Sequence, residues 1–380
     1  MTTVSRHYVF LGLSITSTWG NGHATTYRGL LKELAARGHS ITFLERDVPW
    51  YSANREFDSS SYCRVALYAS LDELKDRFTE LIRTADAVVV GSYVPEGIAV
   101  GRWVQSVAKE VIAFYDIDTP VTLANLQADR CEYLSRDLIS KYNLYLSFTG
   151  GPTLSYIESK LGAPCARALY CSVDPGMYFP EKQECRWELA YLGTYAADRQ
   201  PALEALLLAV AAQAPERHFA VAGPQYPAAI NWAANITRID HLPASEHRKF
   251  YNSQNFALNI TRRDMIRAGF SPSVRLFEAA ACGIPILTDE WTGLDEFFLP
   301  GSEIIPVRSS EEVLRTFGMP EEQRHEISAR ARLRTLRFHT AAVRAAEFEY
   351  YVEESLAAAD RSTRYRVRGK KFLAPALLEK

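Results

Sequence analysis

A glycine-containing loop near the start of the chain has the residue types needed to bind a polar or anionic ligand. Gly20, Asn21 and Gly22 precede His23, and apolar residues at helical spacing place His23 at the start of a helix. Backbone N–H groups at a helix N-terminus attract anions. A neutral imidazole there can take a proton from a hydroxyl, because the ordinary pKa of histidine lies near neutral pH. The alternative for His23 is a capping or loop-packing role.

The same loop fits part of a dinucleotide-binding fingerprint. Gly20 and Gly22 have the spacing of G-x-G-x-x-G, and Glu45 lies at a suitable distance for a ribose contact. Thr25 occupies the position of the third glycine, so the fingerprint is incomplete. We therefore disfavour a nicotinamide or flavin enzyme.

A pair of carboxylates, Asp116 and Asp118, follows a predicted strand. Such a D-x-D pair can hold Mg²⁺ or Mn²⁺ against a diphosphate. It can also bind the hydroxyls of a sugar or an acceptor directly, or Asp118 can cap the turn at Thr119 and Pro120. Because D-x-D is a common pattern, we favour hydroxyl binding over a metal.

Two features of the second half of the chain suit a pyrophosphate. Gly193 and Thr194 end a predicted strand, and Arg199 precedes a predicted helix. A glycine turn and an arginine at a helix N-terminus can bind phosphate oxygens. The alternative is a plain connection between a strand and a helix.

The residues around 275 carry the most specific pattern. Ser271 is predicted to cap a helix with Pro272 in its first position. Arg275 and Glu278 are three residues apart and share one face of that helix. Glu278 has apolar neighbours, where a carboxylate needs partners, and sugar or ribose hydroxyls would serve. The alternative is an ion pair between Arg275 and Glu278 on a solvated helix.

Alternating strands and helices are predicted to position these residues. The predicted strands cover residues 8–15, 40–44, 87–90, 111–115, 144–148, 189–193, 218–222, 256–261 and 284–287. The predicted helices include 71–84, 201–213, 274–281 and 321 to about 356. Turn-forming residues from 170 to 180 mark a boundary between two doubly wound α/β domains. In such folds a ligand binds in the cleft outside the carboxyl ends of the strands.

Composition excludes several classes of protein. The 380 residues are 47% hydrophobic and carry 43 basic and 45 acidic side chains, a net charge of −2. This excludes a disordered, collagenous or coiled-coil chain, and the charge recruits neither nucleic acid nor an anionic membrane. A basic stretch from 361 to 371 could contact phosphate or an acidic partner, although a solvated tail is the favoured alternative.

The expected compartment is the cytoplasm. No apolar stretch is long enough to span a membrane, and the first residues lack the features of a signal peptide. The six cysteines form no C-x-x-C pair and lie mostly in apolar segments, so we predict free thiols.

Five segments up to about residue 350 carry a family resemblance. In chain order they are STWGNGHATT at 17–26, GH at 38–39 with ERDVPWY at 45–51, DIDTPVTL at 116–123, LNITR at 258–262 and SVRLFEAAACG at 273–283. Together they resemble GT-B-fold glycosyltransferases, specifically the CgeB-like family (spore maturation protein type). The resemblance implies two Rossmann-like domains that face each other across a cleft. Residues 1–172 would bind the acceptor and 173–340 the nucleotide sugar, while 341–380 would form a helix crossing back to the first domain and a basic tail.

Site residues are assigned from the patterns and the resemblance together. The donor-binding set is Gly193, Thr194, Arg199, His241, Leu242, Arg262, Arg275 and Glu278. The acceptor and cleft set is Trp19, Gly20, Asn21, Gly22 and Asp116, and the catalytic set is His23 and Asp118. The resemblance implies that Glu278 binds ribose, that Arg262 and Arg275 lie near the donor phosphates, and that residues 193–194 form the diphosphate loop. It also implies that backbone groups at 241–242 contact the base.

One departure from the family pattern concerns stereochemistry. The retaining relatives carry a first glutamate eight positions before the one matched by Glu278, but this chain has Phe270 there. The sugar-contacting role of that glutamate is unfilled or taken by another residue such as Asp264. A reaction that retains the anomeric configuration therefore does not follow from this helix.

The expected function is transfer of a sugar from a UDP- or dTDP-linked donor to a hydroxyl on a small molecule or saccharide. Backbone amides and arginines would stabilise the leaving diphosphate, so no metal or other cofactor is required. His23 is the expected base if the reaction inverts. The alternatives are a nucleotide-sugar epimerase of the same architecture and a non-catalytic sugar-nucleotide-binding protein. The net charge argues against a nucleic acid acceptor, and a homodimer is left open.

Overall fold

The computed structural model describes residues 4–17, 22–55 and 62–370, with side chains as far as residue 358. Within these ranges no helix has the length and apolar character needed to cross a membrane. All six cysteines are free thiols, as predicted. The cytoplasmic location stays a prediction.

The first half of the chain builds a seven-stranded parallel sheet. Its strands are β1 (His7–Gly12), β2 (Ser40–Arg46), β3 (Arg64–Tyr68), β4 (Ala87–Gly91), β5 (Val111–Asp116), β6 (Leu144–Ser147) and β7 (Ala166–Ala168). The strand order is β3-β2-β1-β4-β5-β6-β7. The direction of winding reverses between β1 and β4, so the loops after these two strands separate and open a crevice at their carboxyl ends.

Helices cover both faces of this sheet. They are α1 (His23–Ala36), α2 (Pro49–Ser52), α3 (Leu71–Thr84), α4 (Gly97–Val107), α5 (Thr119–Gln127), α6 (Arg136–Ile139) and α7 (Pro152–Ser159). The start of α3 is a capping box, because the Ser70 hydroxyl accepts from the Glu73 N–H while the Glu73 carboxylate accepts from the Ala69 N–H. Two separate apolar clusters, one on each face, form the core of this half.

The second half builds a six-stranded parallel sheet. Its strands are β8 (Trp187–Leu192), β9 (Phe219–Ala222), β10 (Ile236–Ile239), β11 (Gln254–Asn259), β12 (Ile286–Thr288) and β13 (Ile305–Pro306). Their order is β10-β9-β8-β11-β12-β13, so winding again reverses beside the first strand. The predicted α/β fold with two doubly wound parallel sheets is confirmed.

Nine helices accompany this sheet or follow it in the part of the chain described. They are α8 (Gln200–Leu203), α9 (Ala209–Gln213), α10 (Ala244–Asn252), α11 (Arg263–Ala268), α12 (Val274–Ala281), α13 (Leu294–Phe297), α14 (Ser310–Thr316), α15 (Glu321–Phe338) and α16 (Ala341–Lys370). A π-helical turn, Glu204–Leu208, joins α8 to α9. The stretch predicted to be helical from 321 to about 356 is helical except at His339 and Thr340, which separate α15 from α16.

The chain passes between the two sheets at two neighbouring points. The Val173 N–H donates to the His339 carbonyl over 3.0 Å, and the Ala341 N–H donates to the Val173 carbonyl over 2.9 Å. The interruption between α15 and α16 is therefore a hydrogen-bonded crossing. The domain boundaries expected at 172 and 340 lie beside it and stay predictions.

After this crossing, α16 packs into the core of the first sheet. The Phe348 ring is fully buried and lies 5.3 Å from the Tyr8 ring and 5.6 Å from the Phe10 ring, measured between centroids. On the next position of the helix, Glu349 accepts hydrogen bonds from Arg37 and His39 beside α1. The helix runs on through the backbone of the basic stretch to Lys370, whereas Lys371 lies outside the described residues.

We expect Phe348→Ala to destabilise the protein by about 3–5 kcal/mol, because it leaves a cavity between two aromatic rings of β1. A lower urea midpoint, followed by far-ultraviolet circular dichroism, measures this loss. Tyr350→Ala on the same helix is the control, since that side chain is 64% exposed and its loss should change stability by no more than about 0.5 kcal/mol. Equal midpoints for the two variants would contradict the docking of α16.

Candidate functional site

A cavity of about 270 Å³ lies between the two sheets, where the carboxyl ends of their strands face each other. We call it the inter-sheet cavity. Its wall from the first half of the chain includes Gly22, His23, Thr26, Ile117, Asp118 and Phe148. The opposite wall includes Arg199, Thr261, Arg262, Met265, Ser273, Val274 and Arg275. Two larger, more open depressions on the second half, of about 580 and 460 Å³, contain no predicted site residue.

His23 begins α1 and lines the inter-sheet cavity. Its ring centroid lies 5.3 Å from that of Tyr93. Burial lowers the pKa of the imidazole to about 4, so the ring is neutral at physiological pH. Gly22 precedes the helix and also lines the cavity. The other predicted loop residues, Trp19, Gly20 and Asn21, lie outside the described residues.

Glu45 organises the loop that leads towards His23. Its carboxylate is fully buried and accepts four hydrogen bonds, from the Ser14 and Thr16 hydroxyls and from the Ile15 and Thr16 N–H groups, at 2.5–3.1 Å. These bonds hold the loop that follows β1. The strand β1 itself ends at Gly12 and not at residue 15 as predicted. Because both carboxylate oxygens are occupied inside the protein, Glu45 does not serve as the ribose-binding acid of a dinucleotide fold.

Asp116 lies beneath the inter-sheet cavity and does not form part of its wall. It is fully buried, and the Thr122 and Tyr145 hydroxyls each donate to it over 2.6 Å. Burial raises the pKa of this carboxyl to about 7. The expectation that Asp116 contacts an acceptor is therefore corrected, because its oxygens face the core and are already hydrogen-bonded.

Asp118, two residues further on, does face the inter-sheet cavity. The Tyr93 hydroxyl donates to its Oδ2 over 3.0 Å, and Nη1 of Arg262 lies 3.9 Å from the same oxygen. Burial raises the pKa of Asp118, while the positive charge of Arg262 and the Tyr93 hydrogen bond oppose that rise. Asp118 stands at the start of α5 without a side-chain capping bond, so the capping alternative is wrong.

Three arginines converge on the opposite wall. Arg199 donates to the Thr194 carbonyl over 2.6 Å, and Arg275 donates to Oδ1 of Asn259 over 2.9 Å. Nη1 of Arg262 lies 3.9 Å from Oδ2 of Asp118, and its Nε lies 3.9 Å from Oδ2 of Asp198. By contrast, no carboxylate of the described residues forms an ion pair with Arg199 or Arg275. Burial lowers the pKa of Arg199, and the neighbouring guanidinium groups of Arg275 and Arg262 lower it further. Glu278 acts on Arg275 from beyond ion-pair distance, and positive charge without a directly paired carboxylate suits an anion.

The other predicted donor residues do not form part of the cavity wall. Gly193 follows β8, and a Cβ there would lie 2.6 Å from the Tyr191 hydroxyl, so only glycine fits. The exposed His241 follows β10, and the carbonyl of Leu242 lies 3.2 Å from Nε2 of His247.

Glu278 lies one helical turn beyond Arg275 in α12 and is only 5% exposed. The Tyr251 hydroxyl donates to its Oε2 over 3.0 Å, so the protein itself supplies one of the partners that this carboxylate needs. No ion pair forms between Arg275 and Glu278, so the alternative of an exposed pair is wrong. Glu278 is not part of the cavity wall.

The helix that carries these two residues starts at Val274, as its apolar pattern predicts, but the predicted cap at Ser271 is wrong. Ser273 and not Ser271 stands at the start of α12, without a side-chain capping bond. Ser271 is buried and accepts a hydrogen bond from the Thr149 hydroxyl over 3.0 Å. Ser271 therefore joins the two halves of the chain instead of capping the helix.

Phe270, where the family pattern has a glutamate, also joins the two halves. Its N–H donates to the Thr292 carbonyl over 2.7 Å, and its carbonyl accepts from the Gly150 N–H over 3.0 Å. Its ring packs against Gly151 and Gly293, where any Cβ would come within 2.4 Å of it. Asp264, the suggested replacement, pairs with Arg267 over 3.3 Å and is not part of the cavity wall.

Two residues of the site were missed in the sequence, Tyr93 and Asn259. Tyr93 contacts both His23 and Asp118, and its only sequence signal is its place in the loop after a buried strand. Asn259 is buried at the end of β11, where it accepts from Arg275 and donates to the Thr288 hydroxyl over 2.9 Å. A polar residue at the carboxyl end of an apolar strand would have been the signal for Asn259.

Comparisons with known proteins agree with this architecture. Residues 199–350 match a family model described as glycosyl transferase-like. The fold resembles sucrose-phosphate synthase from Thermosynechococcus elongatus, with 13% identity, a TM-score of 0.69, and coverage of 93% of this chain and 100% of that one. No curated protein sequence matches the chain significantly.

Two further solved structures are similar over comparable lengths. Anabaena HepE, in complex with UDP and glucose, is 10% identical with a TM-score of 0.67 over 92% of this chain and all of that one. An α-glucosyltransferase in complex with UDP and a 13-mer DNA is 13% identical, with the same TM-score and the same coverages. The predicted GT-B fold is confirmed by these structural similarities. The CgeB-like branch stays a prediction.

We expect Asn259→Asp to weaken binding of inorganic pyrophosphate about tenfold, because a carboxylate facing Arg275 neutralises the guanidinium group that would hold the anion. Isothermal titration calorimetry measures this change. Asn54→Asp adds the same charge at an exposed position far from the cavity and is the control. Pyrophosphate affinity that is equal in both variants would contradict an anion site at Arg275.

Proposed function

We propose that this protein transfers a sugar from a nucleoside diphosphate sugar to an acceptor hydroxyl in the inter-sheet cavity. The observation that carries the proposal is the convergence of Arg199, Arg262 and Arg275 on one wall of a GT-B cleft, two of them without a carboxylate partner among the described residues. A departing diphosphate develops negative charge, and preorganised positive groups in a site of low dielectric stabilise it strongly. The match of residues 199–350 to a glycosyl transferase-like family supports the same chemistry.

The donor is proposed to be UDP-linked. Solved structures of the same fold, HepE and the α-glucosyltransferase, are complexes with UDP. In this chain the diphosphate would lie against the three arginines and the loop at 193–194. Glu278 would bind the ribose, and the backbone at 241–242 would contact the base. Because the arginines supply the positive charge that stabilises the departing diphosphate, the proposed reaction needs no metal ion.

The opposite wall is proposed to bind the acceptor, a hydroxyl of a small molecule or saccharide. Asp118 and His23 are the two groups there that can take a proton. Burial moves the pKa of His23 down to about 4, away from neutral pH, and moves the pKa of Asp118 up towards it. A general base works best when its pKa lies near the operating pH. We therefore prefer Asp118 over His23 as the base and give the neutral His23 a hydrogen-bonding role.

In the proposed step the acceptor oxygen forms a bond to the anomeric carbon and its proton passes to Asp118. The bond between that carbon and the diphosphate oxygen breaks, and its electron pair leaves with the diphosphate towards the arginines. The stereochemical outcome depends on the face from which the acceptor approaches.

We expect Arg275→Gln to lower UDP affinity about tenfold to hundredfold, since it removes a charged hydrogen-bond donor from the diphosphate. Calorimetric titration with UDP and a panel of UDP-sugars measures the loss, and the wild-type panel also identifies the sugar. Arg308→Gln removes an exposed arginine of the same half of the chain and should bind like the wild type. If no nucleotide binds the wild-type protein, the proposed function is wrong.

We expect Asp118→Asn to slow sugar transfer about 10²–10⁴-fold at neutral pH, because the amide cannot accept the hydroxyl proton. His23→Ala should lose less than about tenfold, since a neutral hydrogen bond contributes less than proton transfer. Acceptor-dependent UDP release gives both rates, and product analysis without acceptor checks for an isomerised donor. Asp118→Asn with near-wild-type turnover would exclude Asp118 as the base.

A further inference from the structure

We infer that Tyr93 is a positioning residue, which holds one oxygen of Asp118 so that the other faces the acceptor hydroxyl. The inference rests on the proposed function and deepens it, because no sequence pattern or comparison assigns a role to this tyrosine. Tyr93 comes from the loop between β4 and α4, while Asp118 follows β5. Three observations support the assignment: the anchored backbone of the loop, the packing of the ring and the direction of the hydroxyl.

The backbone beside Tyr93 is tied to the end of β5. The Ser92 N–H donates to the Tyr115 carbonyl over 3.0 Å, and the Ser92 hydroxyl accepts from the Ile117 N–H over 3.1 Å. Tyr93 itself has a φ of 61°, in the left-handed region that side chains other than glycine rarely adopt. Such strain persists where the surroundings over-determine the conformation, which is common at functional sites.

The ring of Tyr93 is held between two other rings. Its centroid lies 4.6 Å from that of Tyr133 and 5.3 Å from that of His23. Tyr133 is in turn fixed by a hydrogen bond of 2.8 Å to the Thr122 hydroxyl, which also donates to the buried Asp116. Tyr93 thus connects the buried network beneath the site to both residues assigned to catalysis.

The hydroxyl of Tyr93 selects one oxygen of Asp118. It donates to Oδ2 over 3.0 Å, and Arg262 approaches that same oxygen at 3.9 Å. Oδ1 accepts no side-chain hydrogen bond from the residues that the structure describes. Asp118 also lines the inter-sheet cavity, so Oδ1 is the oxygen left for an acceptor hydroxyl. When Oδ1 takes the proton, Oδ2 keeps its bond to Tyr93 and the carboxyl group does not turn.

The charges that face Asp118 come from several elements. Asp116 precedes it in the chain, and Arg262 and Asp264 act on it from the second half. From the first half, the Tyr93 hydroxyl donates to it and His23 lines the same cavity. Arg262 and the Tyr93 hydroxyl favour the ionised carboxylate, whereas Asp264 disfavours it. Removing the hydroxyl alone therefore raises the pKa of Asp118 while the charged groups stay in place.

Tyr93→Phe tests the assignment, because it keeps the ring between Tyr133 and His23 and removes only the hydroxyl. We expect kcat for acceptor-dependent UDP release to fall roughly tenfold, with the KM for the UDP-sugar unchanged. The acidic limb of the pH–rate profile should move to higher pH, since the base must be ionised to act. Tyr142→Phe removes another buried tyrosine hydroxyl, one without a partner among the described residues, and should leave both kcat and the profile unchanged.

A titration of the ¹³C-carboxyl resonance of Asp118, assigned by its absence in Asp118→Asn, separates this inference from the proposed function. A higher pKa for Asp118 in Tyr93→Phe than in the wild type supports the positioning role, even in a protein that transfers no sugar. An unchanged pKa of Asp118 in Tyr93→Phe overturns it, whatever the activity of the wild type.

Discussion

The relative position of the two sheets depends on hydrogen bonds that join them beside the inter-sheet cavity. Gly150 donates to the carbonyl of Phe270, and Thr149 donates to Ser271. Asp118 and Arg262 come from different halves of the chain, so their separation of 3.9 Å depends on how these bonds hold the two sheets together. The return of α16 to the first sheet adds a second connection, anchored by Phe348 in the apolar core. The geometry of the cavity is thus a property of the whole chain.

The two walls of the cavity differ in how their charges are balanced. Beneath the first wall, Glu45 and Asp116 are buried, but each accepts several short hydrogen bonds, so their polar groups are satisfied inside the protein. On the second wall, Arg199 and Arg275 have no carboxylate partner among the described residues. Unpaired charge in a partly buried place costs free energy, which an anionic ligand would offset. The polar groups beneath the first wall are satisfied without a ligand, whereas an anionic ligand would supply the partners that the second wall lacks.

Most of the fold could be predicted from local patterns. Continuous apolar runs mark strands that are buried on both faces, and helical spacing marks the helices between them. For this reason α3 and α12 begin and end at the predicted residues. The four strands at sheet edges, β3, β7, β10 and β13, were missed, because a strand of two to five residues has too few side chains to show a clear periodic pattern. The helical pattern from 321 to about 356 does not by itself show the interruption at His339, because that interruption depends on a hydrogen bond to Val173, far away in sequence.

For the site, the sequence by itself determined which polar residues follow the strands and that arginines accumulate in the second half. Only the tertiary structure decided which of them face the cavity. Asp116 and Asp118 are two residues apart, yet one is enclosed by Thr122 and Tyr145 and the other faces the cavity. Tyr93 meets Asp118 across neighbouring strands, and Arg262 meets it across the two sheets. Residue type and spacing are local properties, but the direction of a side chain at the end of a strand is set by what packs around it from elsewhere in the chain.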